Sequence, residues 1–309
     1  MTSTKKDNKK AMKKPILTEV YSLEDYAKQE LESYALPEVC NRVRCLLDAD
    51  EASLAEISRV VVFDPSVSSE IMKLANSPIF NFKQKIDSLS RAVVVLGGER
   101  IYSMLLAQFT MTTFNDLHSN NLDMKRFWLN SFCTAFIAQD LAKAYRLSTQ
   151  AQEKLYLCGL MHNVGELAVA KLSPKSAILC EKLVRKGVHP WLAQREQLGF
   201  SYVDCSIKML ENWHLPQDLL SPMRTMTSDK PCEIDQQSRI LNIAANCALA
   251  MVTEGHFNID DFLANKFSGL STREINIIHS SKRNAIDRSS SVVDLMDGFD
   301  TESYFRDSE

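Results

Sequence analysis

Cys158-Gly-Leu-Met-His-Asn-Val-Gly-Glu-Leu167 is the stretch that decides the fold. Leu155, Cys158 and His162 recur at helical spacing and share one face. Two adjacent polar residues, His162 and Asn163, interrupt an otherwise apolar run. Gly165 then marks an expected corner, so the segment from about Ala151 to Leu172 reads as a buried helix that turns and restarts.

Outward from it, the pattern is helix after helix. Upstream, Ser22-Leu-Glu-Asp25 is an N-cap with acids in the first turn, where they suit the positive end of the helix dipole. Pro37 opens a helix to Leu47, since a first-turn position has no N–H partner to lose. Ser53-Leu-Ala-Glu56 is a capping box for a helix to Phe63, and Asp64-Pro65 stops that helix and starts the next. Asp87 or Ser88 caps Leu89–Leu96, Gly97-Gly98 makes a corner, and Ile101–Phe114 follows as a long apolar helix. A lobe boundary is expected in the polar stretch Asn115–Asp123. Downstream, helices are expected over Met124–Tyr145, Ser173–Lys186, Pro190–Leu198, Tyr202–Trp213, Pro216–Thr225, Ile234–Thr253, Ile259–Phe267 and Thr272–Lys282. No segment alternates convincingly with the period of two that a half-buried strand requires.

The totals agree with an all-α reading. The 309 residues suffice for one large domain or two ordinary ones, 45% are apolar, and nine Gly and nine Pro are few for the length. A net charge of −3 supplies no general attraction for nucleic acid. The eight cysteines are scattered, with no C-x-x-C pair, and read as reduced core residues of a cytoplasmic protein. The N-terminus has no apolar secretory core, and no run of about 18 apolar residues suggests a membrane span. Residues 1–14, with six lysines against Asp7, are expected to be a disordered basic tail. Residues 285–309, opening on Ser289-Ser290-Ser291 and carrying seven acids, are expected to be a disordered acidic tail. Val292, Val293, Leu295 and Met296 are the side chains that would dock if that tail formed a short helix.

Several motifs occur in one order: Leu36-Pro-Glu-Val39, Ser53-Leu-Ala-Glu-Ile57, Asp64-Pro65, Ile71-Met-Lys-Leu-Ala-Asn-Ser77 and Ile86-x-Ser88-Leu-x-x-Ala92-Val-x-x-Leu96-Gly97. Phe127-Trp128, Gly159-Leu-Met-His-Asn-Val-Gly165 and Leu198-Gly-Phe200 follow. Together they resemble the HDOD domain, the HD-related output domain of bacterial signalling proteins, over about Leu36 to Thr227. The resemblance implies a two-lobed helical architecture over residues 15–284, with an N-terminal lobe over about 15–118 and an HD-like lobe over about 119–284.

It also implies a place for a metal site. Catalytic HD relatives use a His, an adjacent His-Asp pair and a distant Asp to hold a divalent ion that activates water. Carried onto this chain, those points fall on Asn130, His162, Asn163 and Asn246. Three of the four are therefore amides, which are neutral and weak ligands. Glu166, Tyr202 and Asp204 are expected as pocket neighbours, with Glu166 also readable as a first-turn acid on the next helix and Asp204 as part of a solvated face with Glu211. Asn163 and Asn246 are expected to hydrogen-bond across the old site, and His162 to be a hydrogen-bonded core residue. His189, His214 and His279 sit at expected helix ends or surfaces, without a ligand partner at i+4.

The implied function is a non-catalytic regulatory module that binds a protein partner or a nucleotide second messenger, with no cofactor. The alternative is a metal-dependent phosphohydrolase of the HD superfamily, drawing its divalent-metal ligands from positions such as Glu166, Asp204 or His214. Serine-hydrolase and phosphate-loop motifs are absent.

Overall fold

The computed structural model describes residues 22–26, 36–49, 53–62, 65–76, 85–114, 117, 122–227, 235–252 and 272–297. Among them every regular element is a helix. The basic N-terminal segment, most of the expected lobe boundary and the expected helix Ile259–Phe267 lie outside the described residues.

The first group of helices is α1 (Glu38–Asp48), α2 (Leu54–Val62), α3 (Pro65–Ala75), α4 (Leu89–Leu96) and α5 (Gly98–Thr113). Their starts follow local chemistry. Pro37 precedes α1. Ser53 and Glu56 close a reciprocal box, with Ser53 N–H donating to Glu56 at 2.8 Å and Glu56 N–H donating to the Ser53 hydroxyl at 3.3 Å. Ser88 accepts from Arg91 N–H to cap α4. Gly97, at φ +83°, takes the left-handed conformation that lets α4 and α5 meet at 108°.

The second group is built around α6 (Met124–Ala144). Phe127, Trp128, Phe132, Phe136 and Leu141 are buried around it, so this helix is apolar on nearly all sides and forms the centre of the bundle. It packs against α7 (Thr149–Met161), α13 (Gln236–Val252) and α14 (Thr272–Asp297). Around this centre lie α8 (Val164–Leu172), α9 (Pro174–Val184), α10 (Pro190–Leu198), α11 (Tyr202–Asn212) and α12 (Gln217–Thr225). One apolar core runs continuously through both groups. They are joined where α5 packs on α7. There the Arg100 guanidinium donates to Glu153 at 3.1 Å and lies 3.3 Å from the Tyr156 ring centroid, while Gln139 donates to the same carboxylate at 2.8 Å.

Two expectations need correction. The acidic segment set at 285–309 does not begin as a disordered tail, because α14 continues through it to Asp297. Ala285 and Ser289 are buried, and Arg288 stacks 3.9 Å from the Phe136 centroid with Asp140 at 3.4 Å. The spacing i, i+3, i+4 puts all three residues on the face that meets α6, which a reading weighted by the acids overlooks. The break after α7 also falls earlier than expected, at His162-Asn163 rather than Gly165. Gly165 lies in the first turn of α8, where a Cβ would stand 2.3 Å from Tyr202 O and 2.7 Å from Cys205 Cβ. The glycine serves the close approach of α8 to α11, not a turn.

Candidate functional site

The break between α7 and α8 positions the site. His162 caps the end of α7, and its Nδ1 donates to Gly159 O at 2.7 Å. Because a carbonyl can only accept, that bond places the hydrogen on Nδ1 and leaves Nε2 as an acceptor in the neutral ring. Burial pushes the His162 pKa down to about 4, with the Gly159 bond opposing the shift. Asn163 donates its side-chain N–H to Glu166 on the first turn of α8. The corner is held from outside by Ser206 of α11. Its hydroxyl accepts from Gly165 N–H at 2.8 Å and lies within donating reach of His162 O at 2.8 Å and Tyr202 O at 2.9 Å. Ser206 was not singled out by sequence, because a serine inside an apolar helix carries no signal of its partner.

The four aligned positions share one cavity. Asn130 from α6, His162 and Asn163 from the break, and Asn246 from α13 all line a space of about 570 Å³. Glu166 and Tyr202 line it too. Asp204 does not: its carboxylate accepts from Ser201 N–H at 2.8 Å and from the Ser201 hydroxyl at 2.7 Å, closing the capping box of α11. Its expected place beside the pocket is therefore wrong, while Glu211, further along the same helix, bonds Arg224 and Gln217 at the exposed surface. His214 is exposed, just past the end of α11.

The expected bond between Asn163 and Asn246 does not form either. Asn246 donates to Asn242 O at 2.8 Å, one turn back on α13, and its Oδ1 accepts from His189 Nε2 at 2.8 Å. His189, expected only at a helix end, is thus brought to the site by the N-terminus of α10. Its neighbour Trp191 lies edge-on to it, with ring centroids 4.9 Å apart, and lines the cavity.

Charge around the cavity is mixed. Burial raises the Glu166 pKa, opposed by Arg126 and by the Asn163 bond. Arg126 stands 3.6 Å from Glu181, which also meets Arg185 at 2.9 Å. Burial likewise raises the Tyr202 hydroxyl well above its ordinary value and pushes the Cys180 thiol up to about 11, so neither is poised as a nucleophile or base near neutral pH.

A divalent metal does not fit this donor set. Among the described residues no cluster of three or more His, Cys, Asp or Glu is arranged to hold one. Of the four aligned positions one is an imidazole and three are amides, and the Asn246 oxygen is already engaged by His189. None of the four aligned positions supplies a carboxylate to attract a divalent ion or balance its charge.

His162 gives a pH prediction. Its folded pKa lies near 4 against an ordinary value near 6.5, so between these values the unfolded chain binds more protons. This contribution is intact above about pH 6.5 and is lost as pH falls toward 4, by roughly 3 kcal/mol in all. Glu166 acts in the opposite sense: its raised folded pKa weakens the fold as pH rises above its unfolded value. Urea unfolding at pH 7 and pH 4.5 should show that His162→Gln loses less stability on acidification than the parent does. An equal loss in both would contradict the assignment.

The family model of the HDOD domain matches residues 34–228. An uncharacterized protein of Treponema pallidum (strain Nichols) is 22% identical over 190 residues, covering 61% of this chain but only 36% of that protein. Among solved structures, a proposed phosphohydrolase from Shewanella amazonensis SB2B aligns with TM-score 0.66 and 19% identity, over 86% of this chain and 98% of its own. An HDOD domain protein of unknown function from Geobacter sulfurreducens aligns with TM-score 0.66 and 18% identity, over 88% and 97%. A proposed signal transduction protein from Marinobacter aquaeolei VT8 gives 0.63 and 20%, over 84% of this chain and 59% of that one. At these identities the structures establish the shared fold alone.

Proposed function

This chain belongs to the HDOD domain family, and we propose that it acts as a regulatory module that binds rather than hydrolyses. A signalling role fits the family and the signal transduction protein among its structural neighbours. The observation that carries the non-hydrolytic reading is the chemistry of the four aligned cavity positions, one imidazole and three amides. With no carboxylate among those four positions, nothing there holds a metal-bound water and lowers its pKa. In this reading the frame of the cavity positions helices, and the output is contact with a partner protein.

The second reading, a metal-dependent phosphohydrolase, is favoured by the name of one Shewanella neighbour. It needs carboxylate or imidazole ligands beside His162. Of its three candidates only Glu166 lines the cavity, while Asp204 is held in its capping box and His214 is exposed. Phosphomonoester and phosphodiester assays with added Mn²⁺, Fe²⁺ or Mg²⁺ separate the readings. No turnover is expected with any of them, and turnover that disappears in His162→Ala would overturn the proposal.

A further inference from the structure

Helix α9 presents two different faces. Its inner face closes the cavity with Ala177, Ile178 and Val184. Its outer face is a stripe at helical spacing, Lys175, Leu179 and Lys182, which Lys186 continues one turn on. All four are exposed, Leu179 by 45%. Among the described residues no carboxylate pairs with any of these three lysines. The only acid of α9, Glu181, is held by Arg126 at 3.6 Å and Arg185 at 2.9 Å.

Helix stability accounts for part of the stripe. Lys182 and Lys186 lie at the negative end of the helix dipole, where cations are favoured. Lys175 lies in the first turn, where a cation is disfavoured, and Leu179 leaves apolar surface in water between two lysines. Neither is explained by the folding of α9.

A complement occurs in the same chain. Residues 298–309, outside the described residues, carry four carboxylates from Asp300 to Glu309 against one cation, Arg306. Phe299, Tyr304 and Phe305 are interspersed with them, so the segment offers apolar anchors as well as negative charge. It does not reach α9 of its own chain. α14 runs along α6 in the same direction, with Ala285 beside Cys133 and Arg288 beside Asp140. Asp297 therefore lies about 13 Å beyond the level of Asp140, whereas α9 meets α6 about 21 Å before it, at Arg126. The segment spans at most about 40 Å when extended. That length is spent on this distance and on passing round α9, about 10 Å across, which leaves nothing to lie along the stripe.

We propose that residues 298–309 of one copy dock on the outer face of α9 of a second copy. The carboxylates meet Lys175, Lys182 and Lys186, and an aromatic ring covers Leu179. The contact is head-to-tail, so it can propagate beyond a dimer. It goes beyond the regulatory reading above and stands or falls independently of the turnover assays.

Multi-angle light scattering of the full chain, over a range of concentrations at about 50 mM and about 300 mM NaCl, tests this. The mass should rise with concentration at low salt and return to that of the monomer at high salt. Lys175→Glu/Lys182→Glu and Asp300→Lys/Glu302→Lys should each be monomeric alone. Mixed at low salt, these two variants should form a 1:1 complex, because one supplies an intact segment and the other an intact face. Association regained on mixing cannot come from misfolding. Leu179→Asp should weaken association about tenfold or more, since it removes the apolar contact and adds a like charge. A monomer at every concentration and salt, association that survives the change of Asp300 and Glu302, or two variants that stay separate on mixing would overturn the inference.

Discussion

Gly165→Ala should cost about 3 kcal/mol of folding stability or more, although alanine is the better helix former. The propensity gain on exchanging glycine for alanine inside a helix is only about 1 kcal/mol. Against it, the new Cβ would sit 2.3 Å from Tyr202 O, 2.7 Å from Cys205 Cβ and 2.8 Å from Ser206 N. Two of these three atoms belong to backbone, so no side chain can swing aside. Either α8 or α11 must move, and overpacking of this kind costs about 1–3 kcal/mol. The displacement also stretches the bond from Gly165 N–H to the Ser206 hydroxyl, and an orphaned buried donor costs a further 1–3 kcal/mol or so. Ser206→Ala removes that bond without the clash and should cost less than Gly165→Ala. Urea unfolding checks both, and a Gly165→Ala variant as stable as the parent would contradict the packing described.

The second large effect is at the junction of the two helix groups. Glu153→Ala should destabilise by roughly 3 kcal/mol, because it leaves the Arg100 guanidinium buried without its carboxylate. Arg100 is 5% exposed and belongs to α5, whereas Glu153 belongs to α7. The loss should be much smaller in the double variant Arg100→Met/Glu153→Met, which removes both charges and keeps apolar volume over Tyr156. A double-mutant cycle from unfolding curves measures the difference. If the double variant were as unstable as the sum of the two single changes, the pair would not be coupled as its geometry requires.

Much of the helical layout was legible because its signals are local. The Ser53–Glu56 box, Ser88, the proline before α1 and the proline that opens α3 announce helix starts from a few neighbouring residues. Of the aligned positions, His162 and Asn163 sit inside a motif with fixed spacing, whereas Asn130 follows Phe127-Trp128 and Asn246 lies beyond the matched residues 34–228; all four line one cavity. What escaped depends on partners far along the chain. His189 meets Asn246 across 57 residues, and Ser206 meets His162 across 44. Gly165 looked like a corner because a glycine's local meaning is conformational, while its role here is set by the backbone of α11. Asp204 shows the reverse error. Its capping box with Ser201 was readable from Ser-x-x-Asp spacing, but its nearness to pocket residues in sequence suggested another task.

The central claim is that the amides at Asn130, Asn163 and Asn246 leave the cavity without a metal. The most direct test is elemental analysis by mass spectrometry of the full chain after expression in medium supplemented with Mn²⁺ and Fe²⁺ and brief desalting. The account predicts no stoichiometric divalent metal in the parent chain, and the same trace level in His162→Ala. About one metal ion per chain, lost in His162→Ala, would contradict it.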